Sequence, residues 1–228
     1  MKESEKMSKE EIKKMNKKVI KVLVIVLILA LIIWGGLTFQ KMMLLEKIQD
    51  KALEINQKDN GYCKITYYEG ENAVYSSEFY KKGSKILLKM KGNRIAYKDI
   101  STNEAWLISN DEKIAIKYKP ENILINDIPN PSYIGEEDSF KYNLIYSLTS
   151  SLTSEKVGDT NCYKFNNFGQ KVWINKENLL PKKITVGIVE KDGKKYKTYY
   201  MYEYNWGTVT DEQVKLPDLT EYSIKEQK

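Results

Sequence analysis

The segment YKTYYMYEYNW, residues 196–206, decides the fold of this chain. Its alternate positions from Tyr196 to Trp206 carry a ladder of aromatic rings, interrupted only by Thr198. Side chains alternate between the two faces of a β-strand, so this period predicts a strand with one strongly apolar face. The preceding segment, 182–190, alternates aliphatic and polar residues in the same way. The two segments are therefore predicted to form a β-hairpin.

The turn of this hairpin decides whether its two apolar sets share a face. A two-residue turn at Asp192 and Gly193 would place them on opposite faces. A three-residue loop, 191–193, pairs Ile188 with Tyr196 and brings the sets together. The same register pairs Glu190 with a lysine, so we predict the three-residue loop.

Short β-segments recur through the rest of the chain after residue 60, with Gly, Asn and Asp between them. This rhythm is typical of an antiparallel meander. We predict about eleven strands in a mainly β (α+β) fold, with the others at 62–68, 74–81, 85–90, 94–99, 105–109, 113–118, 123–125, 162–166 and 171–175.

One amphipathic segment, PNPSYIGEEDSFKYNLIYSLTSSL at residues 129–152, interrupts the strands. Asp138 or Ser139 is a suitable N-cap, and the acids before it suit the positive end of a helix. One side of the predicted helix carries Phe140, Leu144, Ile145, Leu148 and Leu152. We expect this side to cover the apolar face of the sheet, and the serines and threonines of residues 147–155 to form the helix end and a loop.

Residues 22–39 form an apolar segment without a charged side chain, near the lower length limit for a membrane-spanning helix. A secretory signal peptide is the alternative, but no Ala-x-Ala cleavage site follows. We therefore predict an uncleaved anchor. An amphipathic pattern continues after it, so the predicted parts are a basic tail at 1–21, the span at 22–39, an amphipathic helix at 40–60, the β-domain at 61–222 and a tail at 223–228.

The charge before the span predicts its orientation. Eight lysines and four glutamates precede residue 22, so +4 of the formal net charge of +6 lies there. Cytoplasmic flanks carry the lysine excess, which predicts a type II single-pass topology with the N-terminus inside and the C-terminal domain outside. The rest of the chain has no basic stripe and one arginine, Arg94, so a nucleic-acid partner is not expected.

Catalytic and metal chemistry have little support in the sequence. The chain has no histidine, which removes the commonest general base and metal ligand. No glycine-rich phosphate loop follows a strand, and the acids of GEED at 135–138 are explained by a helix N-terminus. We predict a non-enzymatic protein with no metal and no cofactor.

Two cysteines, Cys63 and Cys162, fall on the predicted outer side, where a disulfide is chemically permitted. Strand parity places Cys63 with apolar neighbours and Cys162 with a lysine. The sequence leaves two states open, a disulfide or two unpaired thiols.

Two motifs resemble a known family. The segment KVWINKENLLPKKITV, 171–186, and the segment YNWGTVTDEQVKLPDLTEY, 204–222, resemble the LolA-like family of lipoprotein carriers and RseB-like regulators, in its Gram-positive, membrane-anchored form. The resemblance implies an incomplete antiparallel β-barrel whose helices cover the concave side around a hydrophobic cavity. It carries no catalytic residues.

Together with this resemblance, the observations favour an anchored domain that binds a lipid, an acyl chain or a lipoprotein at the outer face of a bacterial cytoplasmic membrane. The predicted cavity residues are Phe140, Leu144, Leu148, Trp173, Tyr200, Tyr202, Tyr204 and Trp206. Ordinary sheet core is the simpler interpretation of the aromatic ladder, and a regulatory protein that binds another envelope protein through its sheet is the alternative function.

Overall fold

The computed structural model describes residues 9–122, 125 and 139–226. They form a twelve-stranded sheet, two α-helices and two short 3₁₀-helices. The predicted fold class, mainly β with an N-terminal helix and an incomplete barrel, is confirmed. The elements are α1 (Lys9–Asn56), β1 (Asn60–Glu69), β2 (Asn72–Lys82), β3 (Lys85–Met90), β4 (Arg94–Asp99), β5 (Glu104–Ser109), β6 (Ile114–Tyr118), α2 (Ser139–Thr149), β7 (Ser151–Val157), β8 (Thr160–Asn167), β9 (Gln170–Asn175), β10 (Pro181–Lys191), β11 (Lys194–Trp206) and β12 (Ser223–Glu226).

Two antiparallel meanders make the sheet. Strands β1 to β6 form the first and β7 to β11 the second, and β11 pairs with β1 to join them. The order is β12-β6-β5-β4-β3-β2-β1-β11-β10-β9-β8-β7, so β7 and β12 are the edges. The last strand, β12, pairs in parallel with β6 and lies in the segment predicted as a tail.

Helix α1 runs without interruption from the apolar segment onto the sheet. The membrane-length segment is exposed, whereas Leu45, Ile48 and Ile55 are buried against strands. Their spacing places them on one side of the helix. Helix α1 is the one helix among the described residues that is long and apolar enough to cross a membrane.

Helix α2 is turned the opposite way from the prediction. Its buried side chains are polar, Asn143 and Ser147, whereas Phe140, Leu144 and Leu148 are exposed. The amide of Asn143 exchanges two hydrogen bonds with the amide of Gln49 on α1, at 2.9 and 3.2 Å. The Asn143 amide is accommodated inside because these hydrogen bonds satisfy a group that would otherwise be costly to bury. The hydroxyl of Ser147 is buried with no hydrogen-bond partner among the described residues.

The segment predicted as a helix end and loop is instead strand β7. Residues Ser151–Val157 pair with β8 along their whole length, and Leu152 lies opposite Phe165. The predicted strand at 123–125 falls mostly outside the described residues, and Ile125 is not in a strand.

The β10–β11 hairpin corrects the predicted register. Lys191 pairs with Lys194, so the turn has the two residues Asp192 and Gly193, both with positive φ. The predicted three-residue loop was wrong. A bulge at Val186 shifts the register, however, and beyond it Ile184 pairs with Tyr200. The bulge therefore places Ile184 on the aromatic face, whereas Ile188, on the turn side of the bulge, pairs with Lys197.

The sheet has a core on each face. We call the face under α1 the inner face, where Ile55 packs with Phe79, Ile184 and Tyr202. On the outer face, the C-terminal segment after β11 covers another cluster, in which Val214 packs with residues that include Trp106.

Candidate functional site on the inner face

Part of the inner face is closed by α1, and we call it the roofed half. Ile55 of α1 is in one buried cluster with Cys63, Phe79 and Tyr202. The ammonium of Lys81 donates to the carbonyl of Asn56 at 3.1 Å, which satisfies an acceptor at the negative end of the helix. The C-terminal end of α1 is therefore fixed on strands β1 and β2.

The roofed half continues to strands β8 and β9. Leu45 and Ile48 of α1 pack with Phe165 and Ile174. Tyr146 of α2 adds its ring, whose centroid is 6.0 Å from that of Phe165. Both helices thus contribute to the cover of the inner face.

The predicted aromatic ladder lies in the roofed half. Tyr202 is only 4% exposed, and Tyr200, Tyr204 and Trp206 pack against its cluster. Successive ring centroids from Tyr200 to Trp206 are 6.5, 6.3 and 6.2 Å apart. Burial raises the pKa of Tyr204 well above its ordinary value. These four predicted site residues therefore lie together, packed into the core.

The structure does not bring the other predicted residues to this ladder. Trp173 is buried on the outer face, where the ammonium groups of Lys164 and Lys183 each lie 5.3 Å from its ring centroid. Phe140, at 67% exposed, lies with Leu144 and Leu148 on the outward side of α2.

The remaining part of the inner face, on strands β2 to β5, holds an open cavity of about 550 Å³, and we call this part the open half. Its walls combine apolar side chains with two cations at one edge. The lining residues are Tyr75, Ser77, Met90, Lys91, Arg94 and Leu107. A hollow of about 500 Å³ lies between Arg94 and the turns that follow β3 and β5, and one of about 160 Å³ continues from Arg94 along β5 and β6.

Tyr75 joins the two halves. Its ring stacks on Tyr67 with the centroids 5.1 Å apart, and its hydroxyl lies 3.4 Å from that of Tyr200. This hydrogen bond and partial burial raise the pKa of Tyr75 to about 12. The hydroxyl therefore stays neutral at ordinary pH, and Tyr200 is the ladder residue that borders the open cavity.

The cations lie beside the turn between β3 and β4. The ammonium of Lys91 is 5.2 Å from the ring centroid of Tyr75, within the range of a cation–π contact. Asn93 has a φ of 51° and donates to the carboxylate of Asp111 at 2.8 Å. An apolar wall that ends in positive charge suits an acyl chain with an anionic or polar head group.

The sequence predicted the strands of this cavity but not its lining residues. Tyr75 and Ser77 follow the same period of two as the aromatic ladder, and Ala96 lies on the neighbouring part of the inner face. Small side chains between larger ones were the available signal for unfilled space. That signal does not show which part of the face a helix covers.

Of the two states that the sequence left open, the structure shows two buried thiols that are not joined in a disulfide. They lie on β1 and β8, four strand spacings apart, or about 19 Å at the usual separation of neighbouring strands. A disulfide needs Cα atoms within about 7 Å. Burial raises the pKa of the Cys63 thiol to about 12 and also raises that of Cys162. Within the described residues, no group of three Cys, Asp or Glu side chains is arranged to hold a metal ion.

No protein-family model and no curated protein sequence match this chain. Solved structures do. An uncharacterized conserved protein from Thermus thermophilus is similar with a TM-score of 0.45 and 9% identity, over 80% of this chain and 98% of that one. A LolA superfamily protein from Nitrosomonas europaea has a TM-score of 0.27 and 10% identity, over 75% and 97%. MucB in the Pseudomonas aeruginosa MucA/MucB complex has a TM-score of 0.37 and 8% identity, over 78% and 62%. The superfamily that the sequence motifs resemble is thus also found among the structures that this chain resembles.

Proposed function

We propose that this protein is a membrane-anchored, extracytoplasmic and non-enzymatic domain that binds a lipid, an acyl chain or a lipoprotein in the open half of the inner face. The open cavity of about 550 Å³ carries this proposal. Its volume is within the usual range of about 300–1,000 Å³ for small-molecule sites. Leu107, Met90 and Tyr75 supply apolar surface, and Lys91 and Arg94 supply charge at one edge.

The anchor supports the proposed location. The exposed apolar segment of α1 is long enough to cross a bilayer, and the lysine-rich residues before it favour a cytoplasmic N-terminus. In this orientation the whole sheet lies outside the cytoplasmic membrane. A lipid ligand would then be available in the leaflet next to the domain.

The test uses a matched pair of neighbouring serines. Ser77 lines the cavity, whereas Ser76 is exposed on the other face. Ser77→Trp should fill part of the cavity and lower the lipid retained by the purified full chain, and Ser76→Trp should retain as much as the original protein. Native mass spectrometry of the chain released from detergent, with analysis of extracted lipid, measures this retention.

Two results would oppose the proposal. One is a folded original chain that carries no lipid or acyl ligand after purification from membranes. The other is equal retention by the Ser77→Trp and Ser76→Trp variants. Circular dichroism on both variants separates loss of the ligand from loss of the fold.

One observation favours a second function, binding of another envelope protein through the sheet. On the outer face, the rings of Tyr68 and Tyr199 are nearly parallel with centroids 5.0 Å apart, and both are partly exposed. The ammonium of Lys183 lies 3.8 Å from the Tyr199 centroid. Aromatic side chains such as these tyrosines are enriched in protein interfaces. Tyr199→Glu should remove a protein that co-purifies with the full chain while leaving lipid retention intact, whereas a partner unaffected by this change would oppose the second function.

A further inference from the structure

Two hairpins beside the anchor expose apolar side chains. Phe168, at the β8–β9 turn, is 91% exposed, and Val186 and Ile188 on β10 are exposed beside it. Between them is a shallow groove of about 460 Å³ that also borders Lys171 and Lys197. Exposed apolar groups collected in one place, rather than scattered, indicate a contact surface.

Lysines surround this groove. Residues 186–197 contain four lysines against Glu190 and Asp192, which gives a net charge of +2. The side chains of Lys194, Lys195 and Lys197 are exposed, and Lys191 pairs with Glu69. We call this surface the hairpin rim; its members are Phe168, Lys171, Val186, Ile188, Lys194, Lys195 and Lys197.

The hairpin rim lies where α1 leaves the sheet. The ammonium of Lys41 donates to the carbonyl of Ser150 at 2.8 Å, and the next residue, Ser151, pairs with Asn166. Lys41 is therefore level with the last residues of β8. Phe168 is two residues further along the chain, about 7 Å in a strand. Going from Lys41 toward the N-terminus of α1, the predicted end of the membrane span at residue 39 is two residues away, or about 3 Å along the helix axis.

Successive contacts show that β8 and α1 run in opposite directions. Ile55 contacts the far end of the sheet near Leu180, whereas Leu45 contacts Phe165 and Lys41 contacts Ser150. The N-terminal direction of α1 and the C-terminal direction of β8 therefore point to the same end. An anchor that continues straight along α1 places this end of the sheet at the bilayer.

We infer that the hairpin rim rests on the surface of the same anionic bilayer that α1 crosses. The inference depends on the membrane anchoring proposed above. Exposed apolar side chains enter the head-group region, and nearby lysines are attracted to anionic lipid.

Alternate turns of a meander lie at the same end of the sheet, so the β3–β4 turn at Lys91 is also on this side. The edge of the open cavity thus faces the membrane, and an acyl chain enters it directly from the leaflet.

The experiment measures membrane depth in the full chain. The chain is reconstituted in phosphatidylcholine vesicles that contain phosphatidylglycerol, with a spin label at Phe168→Cys or Ile188→Cys. Ile100→Cys is the matched control, because Ile100 is 57% exposed but lies in the turn after β4, at the opposite end. Leu31→Cys reports the anchor itself. The native cysteines are buried, and the unmodified chain gives the background labelling.

The depth of each spin label in the membrane is obtained from its rates of collision with two relaxation agents. Oxygen concentrates in lipid, and the second agent is a nickel complex that stays in water. Labels at residues 168 and 188 should show a higher oxygen-to-nickel ratio than the label at 100. A lipid-like ratio at residue 31 with aqueous ratios at 168 and 188 would overturn the inference and leave the anchor intact. An aqueous ratio at residue 31 would instead overturn the proposed anchoring, and with it this inference.

Charge provides a second measurement. Replacing Lys194, Lys195 and Lys197 together by glutamine should lower the ratio of membrane-seated to free hairpin by about 150-fold, at about 1 kcal/mol for each lysine near an anionic surface. Vesicles of phosphatidylcholine alone should have a similar effect on the original chain. An unchanged depth in both cases would overturn the role of anionic lipid.

Discussion

The roofed half and the open half of the inner face share one strand pattern but differ in their cover. In the roofed half, α1 places Ile55 among Phe79, Ile184 and Tyr202. In the open half, Tyr75, Ser77 and Leu107 line a cavity that the described residues do not fill. Inward tyrosines therefore form part of the core where α1 covers them, and they form a wall of the open cavity where α1 does not. The position of the helix, rather than the composition of the strand, makes this difference.

The largest expected effect compares two tyrosines of the same face. Tyr202→Ala leaves a cavity under α1 and should lower the free energy of unfolding by about 3–5 kcal/mol. Tyr75→Ala removes a partly exposed ring, one stacking contact and one hydrogen bond, so we expect a loss of about 1–2 kcal/mol. Chemical unfolding of the full chain in detergent, followed by circular dichroism, measures both.

Equal losses at these two positions would contradict the division into two halves. A loss near zero at Tyr202 would mean that α1 does not close the sheet. Lipid retention gives an independent comparison, because Tyr75→Ala should reduce it while the fold persists.

Alkaline pH should destabilise the roofed half through Cys63. Burial raises the pKa of its thiol to about 12, whereas an unfolded thiol has a pKa of about 8.5. The folded chain therefore holds a proton that the unfolded chain has lost. The stabilisation is complete below about pH 8.5 and falls as pH rises, by about 2 kcal/mol at pH 10.

The slope of stability against pH isolates this effect from the cost of each substitution. Cys63→Ala should flatten the slope between about pH 8.5 and 10, below the usual pKa of tyrosine. Cys162→Ala should remove a separate part of the slope, because burial also raises the pKa of that thiol, so the slope of the double variant should be flatter than that of either single variant. A slope that Cys63→Ala leaves unchanged would show that water reaches this thiol and that the roof is open in solution.

Local sequence patterns predicted most of the strands, but they predicted less well how the helices pack on the sheet. Strands β3 and β4 agree with the prediction to the residue, because each has apolar positions bounded by clear turn residues. Strand β7 was missed since, as an edge strand, it exposes serine, threonine, glutamate and lysine and has no continuous apolar face. The hairpin register failed because the prediction weighed only the turn, whereas Gly187, an isolated glycine inside the strand, is the local signal for the bulge at Val186.

The candidate site required tertiary information. Amphipathic spacing showed that α2 has an apolar and a polar side, but it did not show which side finds a partner. Asn143 faces inward because Gln49 of α1, 94 residues away in sequence, supplies the matching amide. The open cavity has the same origin, since its extent depends on where α1 crosses the sheet.

The smallest expected effect tests that amide pair, which holds α2 on α1. Asn143→Ala leaves the Gln49 amide without this partner in a partly buried position, and should lower the free energy of unfolding by about 1–2 kcal/mol. Gln49→Leu combined with Asn143→Leu replaces both amides by apolar groups and should recover much of that loss. A double-mutant cycle from chemical unfolding measures the coupling. Lipid retention should change little in each of these variants, because the pair lies in the roofed half. A loss of lipid that parallels the loss of stability would instead mean that α2 forms part of the binding site, and the open half alone would not account for it.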